Sequence, residues 1–129
     1  MKHLPNNEPT ISDVATELRR YDAACTELLS LLKRPQRTRQ EDHLCIIGYK
    51  ELKVQLKRDS VHGTISGVKR SMSDAERFFF DYAVRHAAQA LKPAINHSRV
   101  TTTWVSAVSN AQYEINYKLR DLEKRYPGA

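Results

Sequence analysis

Apolar residues recur along this chain at alternating steps of three and four, the spacing of helices that bury one side. Ile11, Val14, Leu18, Tyr21, Cys25, Leu28 and Leu32 keep that rhythm for three heptads, so a bundle helix is expected over 11–33. Pro35, which has no N–H to donate, ends it. Cys45, Tyr49, Leu52 and Leu56 mark the inner side of a second helix over 40–58, and Ile47 with Val54 forms a separate apolar stripe on it. Ser60 to Met72 contains two glycines and no clear period, and reads as a loop.

A third helix is expected over 73–92, with Ser73 and Glu76 at capping-box spacing and Pro93 at its end. Its apolar residues fall on two sides. Ala75, Phe78, Phe79, Tyr82, Ala83, His86 and Ala90 share a broad face, taken as the core face, while Phe80, Val84 and Leu91 line a second stripe. That stripe is covered either by other helices of the same domain or by another molecule, and it is the candidate interface of a homo-oligomer.

The fourth helix, over 100–125, carries Val105, Val108, Gln112, Ile115, Leu119, Leu122 and Tyr126 at the same spacing, with Trp104 and Ala111 widening the face. Gln112 interrupts this seam, as a polar residue that fixes helix register does. Any of several hydroxyls before it can cap the helix. The pattern as a whole predicts an all-α, antiparallel up-and-down four-helix bundle with a longer loop between helices 2 and 3. Residues 1–9 are expected to form a flexible arm and residues 10–126 a single domain.

Length and composition alter this picture little. A chain of 129 residues buries enough surface to need neither metal nor disulfide. Cys25 and Cys45 occupy inward positions without C-x-x-C spacing, so reduced, buried thiols are expected. MKHLPNNEP lacks the apolar core of a signal peptide, and the chain holds no run of 18 apolar residues, so a cytoplasmic location without membrane contact is expected.

Charge adds more. The net charge is +6, and between Lys33 and Arg70 ten basic residues stand against four acidic ones, which accounts for the whole excess. Lys50, Lys53 and Lys57 make a stripe on the second helix, and Arg37, Arg39, Arg58, Lys69 and Arg70 flank it in the adjoining segments. Such a ridge suits a nucleic acid or an acidic protein. On the outer side of the last helix, Tyr113, Tyr117, Arg120 and Lys124 form a second candidate surface, of residue types that stack and anchor interfaces.

Signals for chemistry are weak. The five histidines never pair at helical spacing, and Gly63, Gly67 and Lys69 miss the spacing of a phosphate loop, so no metal, cofactor or catalytic set is assigned. His86 reads as a core histidine, and Arg77, Asp81 and Arg85 as a surface ion-pair ladder. Arg58 and His62, in RDSVH, resemble the R-x(4–6)-H signature of the HEPN superfamily of helical ribonucleases, one residue short. That resemblance implies RNA cleavage by those two residues. The leading expectation is a non-enzymatic binding or adaptor protein, oligomeric, that docks an acidic partner through residues 33–70. A purely structural protein–protein interaction module is the third reading.

Overall fold

A computed structural model describes residues 11–62, 65, 72–92 and 100–129. The expected N-terminal arm, Lys69 and Arg70 lie outside the described residues. Four helices, α1 (Ile11–Leu32), α2 (Arg39–His62), α3 (Asp74–Leu91) and α4 (Thr102–Arg125), make up the structure, with no strand among the described residues. Their bounds fall within four residues of the expected ones.

Local chemistry marks the helix starts. Ser73 and Glu76 form the expected capping box, Ser73 N–H donating to Glu76 Oε1 at 2.7 Å and Glu76 N–H donating to Ser73 Oγ at 3.2 Å. A second box, not anticipated, opens α2. There Thr38 N–H donates to Glu41 Oε1 at 2.9 Å and Glu41 N–H to Thr38 Oγ1 at 3.1 Å, which pulls the Glu41 carboxyl below its usual value. Thr101 caps α4 by its backbone conformation only, its hydroxyl lying 2.7 Å from that of Thr103.

All four helices contribute to one buried cluster. Around it α1 packs on α2 and α4, and α3 packs on α2 and α4, while the backbones of α2 and α4 stay apart across the diagonal. Tyr49 bridges that diagonal, its ring 4.5 Å from the Trp104 ring and its hydroxyl donating to the Leu91 carbonyl at 2.5 Å. The Trp104 indole N–H is buried with no acceptor among the described residues.

On α3 the inward side is rotated from the expected one. Phe80, Val84 and Leu91 are 0% exposed, with Ala87 between them, whereas Phe78 and Tyr82 are exposed and His86 half-buried. The candidate oligomer interface is therefore core, because α2 and α4 enclose α3 from both sides. Of the residues assigned to the inner face, only Phe79 and Ala83 are buried.

The end of α2 also departs from expectation, continuing to His62. Asp59 occupies the inward position after Leu56, where a polar residue hid the period. It is 1% exposed and accepts the Tyr21 hydroxyl at 2.5 Å, which ties the last turns of α2 to α1. Burial raises the Asp59 carboxyl above its usual 3.8, with Glu17 adding to the rise and Tyr21, Arg58 and Arg20 opposing it. Cys25 and Cys45 are both free and buried, and burial pushes the Cys25 thiol up to about 12, far from a reactive thiolate.

Two measurements test these placements. Phe80→Ala is expected to lower the unfolding free energy by about 3–5 kcal/mol in a urea titration, as loss of a buried ring does; unchanged stability would put Phe80 outside the core. For Asp59, the folded chain holds the proton at pH values where the unfolded chain has released it. Acidification through that range above 3.8 therefore stabilises the fold, and raising the pH removes the gain. Urea titrations between pH 7 and pH 4 are expected to show the wild type gaining stability relative to Asp59→Asn as the pH falls. Parallel profiles would refute it.

Candidate binding surfaces

The basic segment divides once its partners are counted. Arg34 pairs with Glu41, and Arg37 donates to Asp42 at 2.6 Å and to the Leu32 carbonyl at 2.7 Å, so both arginines close the α1–α2 connection instead of facing a ligand. Arg58 stands 4.0 Å from the buried Asp59. Arg37 thus leaves the candidate set, because its fork is spent on the chain's own carboxylate and carbonyl.

Lys50, Lys53, Lys57 and Arg39 remain on α2 with no carboxylate within 4.0 Å among the described residues. Steps of three and four put the three ammonium groups on adjoining turns. The Lys53 ammonium is held below its usual value, first by partial burial and then by the charge of Lys57. Like charges within mutual reach destabilise a helix, so the fold gains nothing internal from this arrangement. Val54, beside them on the helix surface, is exposed.

Between α1 and α2 lies an open groove of about 300 Å³ lined by Ala24, Leu28, Leu31, Leu44, Ile47 and Gly48, with Glu27 and Glu51 on its rims. At Gly48 an added Cβ would stand 3.4 Å from Leu28 Cδ1, tolerable contact that still narrows the groove.

The residues of the second candidate surface lie along one exposed side of α4. Tyr113 and Tyr117 stand exposed on α4 with ring centroids 6.4 Å apart, beside the exposed Arg120 and Lys124. One turn away is a feature the sequence reading missed. Lys118 is buried, its ammonium 3.8 Å from the Phe78 ring centroid, 4.5 Å from that of Tyr82 and 5.9 Å from that of Tyr117. His86 stacks on Tyr82 at 3.9 Å between ring centroids, and Arg125 lies 5.8 Å from the Phe78 ring. A signal was present, since Ala111, Ile115, Lys118 and Leu122 keep the core spacing with a lysine at one place.

This cluster holds a cation by ring faces, using the negative potential above each aromatic π system. It accounts for the half-exposed Phe78 and Tyr82, which are packed against Lys118 at the α3–α4 boundary, and for His86, which is a stacked neighbour and not a core residue. Since α2 and α4 are diagonal, the α2 lysines and the α4 tyrosines make two separate surfaces. For the ribonuclease resemblance, Arg58 faces the buried Asp59, while the His62 side chain lies outside the described residues. Among the described residues there is no group of three or more His, Cys, Asp or Glu placed to hold a metal ion, and no helix long and apolar enough to cross a membrane.

A double-mutant cycle tests the Lys118 cluster. Phe78→Leu and Lys118→Met are expected to couple by about 0.5–2 kcal/mol in urea unfolding, the range of a partly desolvated cation–π contact. Strict additivity would leave the two groups as unlinked neighbours. Compared with protein-family models, curated proteins and solved structures, the chain matches none, which leaves these surfaces as the ground for a functional reading.

Proposed function

We propose that this protein is a non-enzymatic docking module, an antiparallel up-and-down bundle whose α2 presents lysines to an acidic partner. The topology is supported by pairs that run in opposite order on neighbouring helices. Arg19 reaches Glu123 at 3.0 Å, Asp22 accepts from Asn116 and Gln112 at 2.9 Å, and Thr26 accepts from Gln112 at 2.7 Å. On the other side, Tyr21 meets Asp59 and Arg34 meets Glu41.

One observation carries the binding role. Of the basic residues in the 33–70 segment, the arginines at the connection are neutralised within the chain, while Lys50, Lys53 and Lys57 stand together without carboxylates among the described residues. Three adjacent ammonium groups repel one another until an anionic surface meets them. The partner classes that suit them are nucleic acid and acidic protein. The α4 face of Tyr113, Tyr117, Arg120 and Lys124 is a second contact for the same or another partner, through stacking and charge. Self-association, if it occurs, uses surfaces other than Phe80, Val84 and Leu91.

Fluorescence anisotropy with a labelled poly-glutamate peptide and a labelled DNA duplex tests the reading. Binding at low salt is expected for at least one probe and is expected to disappear in Lys50→Glu/Lys53→Glu/Lys57→Glu. For the duplex, three phosphate contacts give a slope of log K against log salt of roughly −2.7. The same affinity in the triple variant, or no binding of either probe at low salt, would overturn the proposal.

A further inference from the structure

The outward side of α2 carries an apolar line as well as charge. Ile47, Val54 and Val61 follow one another at steps of seven and are 41%, 62% and 70% exposed, with Leu44 beside them at 50%. At 1.5 Å per residue this line is about 21 Å long. Singly exposed apolar residues are ordinary, but a row at heptad spacing is one of the two lines of the seam by which one helix meets another along its length.

Charge is unequal on the two sides of the row. Helical spacing puts Lys50, Lys53 and Lys57 along one side of the row. Glu51 and Arg58 border the other, so the formal charge along that flank sums to zero.

We propose that this side of α2 seats an amphipathic helix of another protein, apolar on its buried face, acidic on the flank that meets Lys50, Lys53 and Lys57, and near neutral on the flank that meets Glu51 and Arg58. The inference rests on the acidic-partner reading and narrows it. Phosphates make no use of Ile47, Val54 and Val61, and a nucleic-acid backbone lying over them brings its charge against Glu51. A second copy of α2 fits no better. An antiparallel pair sets the lysine row against itself, and a parallel pair sets it against a flank whose two charges cancel. An acidic amphipathic helix satisfies both the row and the lysines.

The test uses the full chain and two labelled 21-residue peptides of equal net charge. Both carry glutamates on one flank; the first has leucines at steps of three and four, and the second has glutamines in their place. In low-salt anisotropy the leucine peptide is expected to bind the unaltered protein at least about tenfold more tightly, as burial of two or more apolar side chains provides. Ile47→Gln/Val54→Gln, both surface positions, is expected to remove that advantage and leave the affinity of the glutamine peptide unchanged.

Equal binding of the two peptides, lost in the triple lysine reversal, overturns the helix partner and leaves the acidic-partner reading standing. Failure of both peptides and of a single-stranded DNA probe overturns both. DNA binding that exceeds the leucine peptide and is unchanged in Ile47→Gln/Val54→Gln identifies nucleic acid as the partner and overturns the inference. A dimer of the wild type that becomes monomeric in that variant, seen by sedimentation equilibrium, assigns the seam to a second copy and overturns it too. The two-peptide comparison needs no variant to fold.

Discussion

The ammonium groups of Lys53 and Lys57 repel one another across a turn of α2, and no carboxylate among the described residues relieves them. The rest of the structure explains why they stay there. Asp59, the acid nearest the end of that helix, is drawn inward to the Tyr21 hydroxyl, and Glu41 and Asp42 at its start are drawn to Arg34 and Arg37. Three of the four acids of this segment are thus engaged in fastening α2 to α1 or in closing the connection before it, and the fourth, Glu51, lies across the apolar row from the lysines. The charge left outward is thus a consequence of how α2 is held in place, and this gives its outer side a chemical character distinct from the other helices.

Polar contacts do most to specify which helix lies beside which. An apolar seam attracts any other apolar seam, and four similar seams could pair in several ways. Gln112 removes much of that freedom, donating to the Asp22 carbonyl at 3.2 Å, to the Asp22 carboxylate at 2.9 Å and to Thr26 at 2.7 Å, with Asn116 donating to the same carboxylate. A shift of α4 by one turn along α1 would break all four bonds. Tyr49 does the equivalent across the diagonal, with its ring against Trp104 and its hydroxyl on the Leu91 carbonyl. These groups convert a general preference for packing into one arrangement, and so set where the α2 and α4 surfaces face.

The α3–α4 boundary shows another way to accommodate a cation. Lys118 occupies a position with core spacing, where an unpaired ammonium would be costly to bury, and the rings of Phe78 and Tyr82 surround it. Those rings remain partly exposed as a result. Together with Tyr113 and Tyr117 they give this side an aromatic surface edged by Arg120, Lys124 and Arg125, quite unlike the aliphatic row on α2.

By itself the sequence determined the number of helices, nearly all their limits and most of their inner faces. Seven residues of α1, from Ile11 to Leu32, and four of α2, from Cys45 to Leu56, keep a period that only a helix satisfies, and all but the half-buried Ile11 are buried. Ser73 with Glu76 was legible because a capping box is local, as Thr38 with Glu41 should have been. The inner side of α3 was not legible. Phe78, Phe79 and Phe80 are consecutive, so periodicity permits more than one face, and the choice depended on α2 and α4 closing over Phe80 while Lys118 drew Phe78 outward. The candidate surfaces divide in the same way. The lysine row and the tyrosine face follow from spacing within single helices, whereas the loss of Arg37, the burial of Asp59 and the ring cluster around Lys118 depend on contacts between helices, which tertiary packing alone decides.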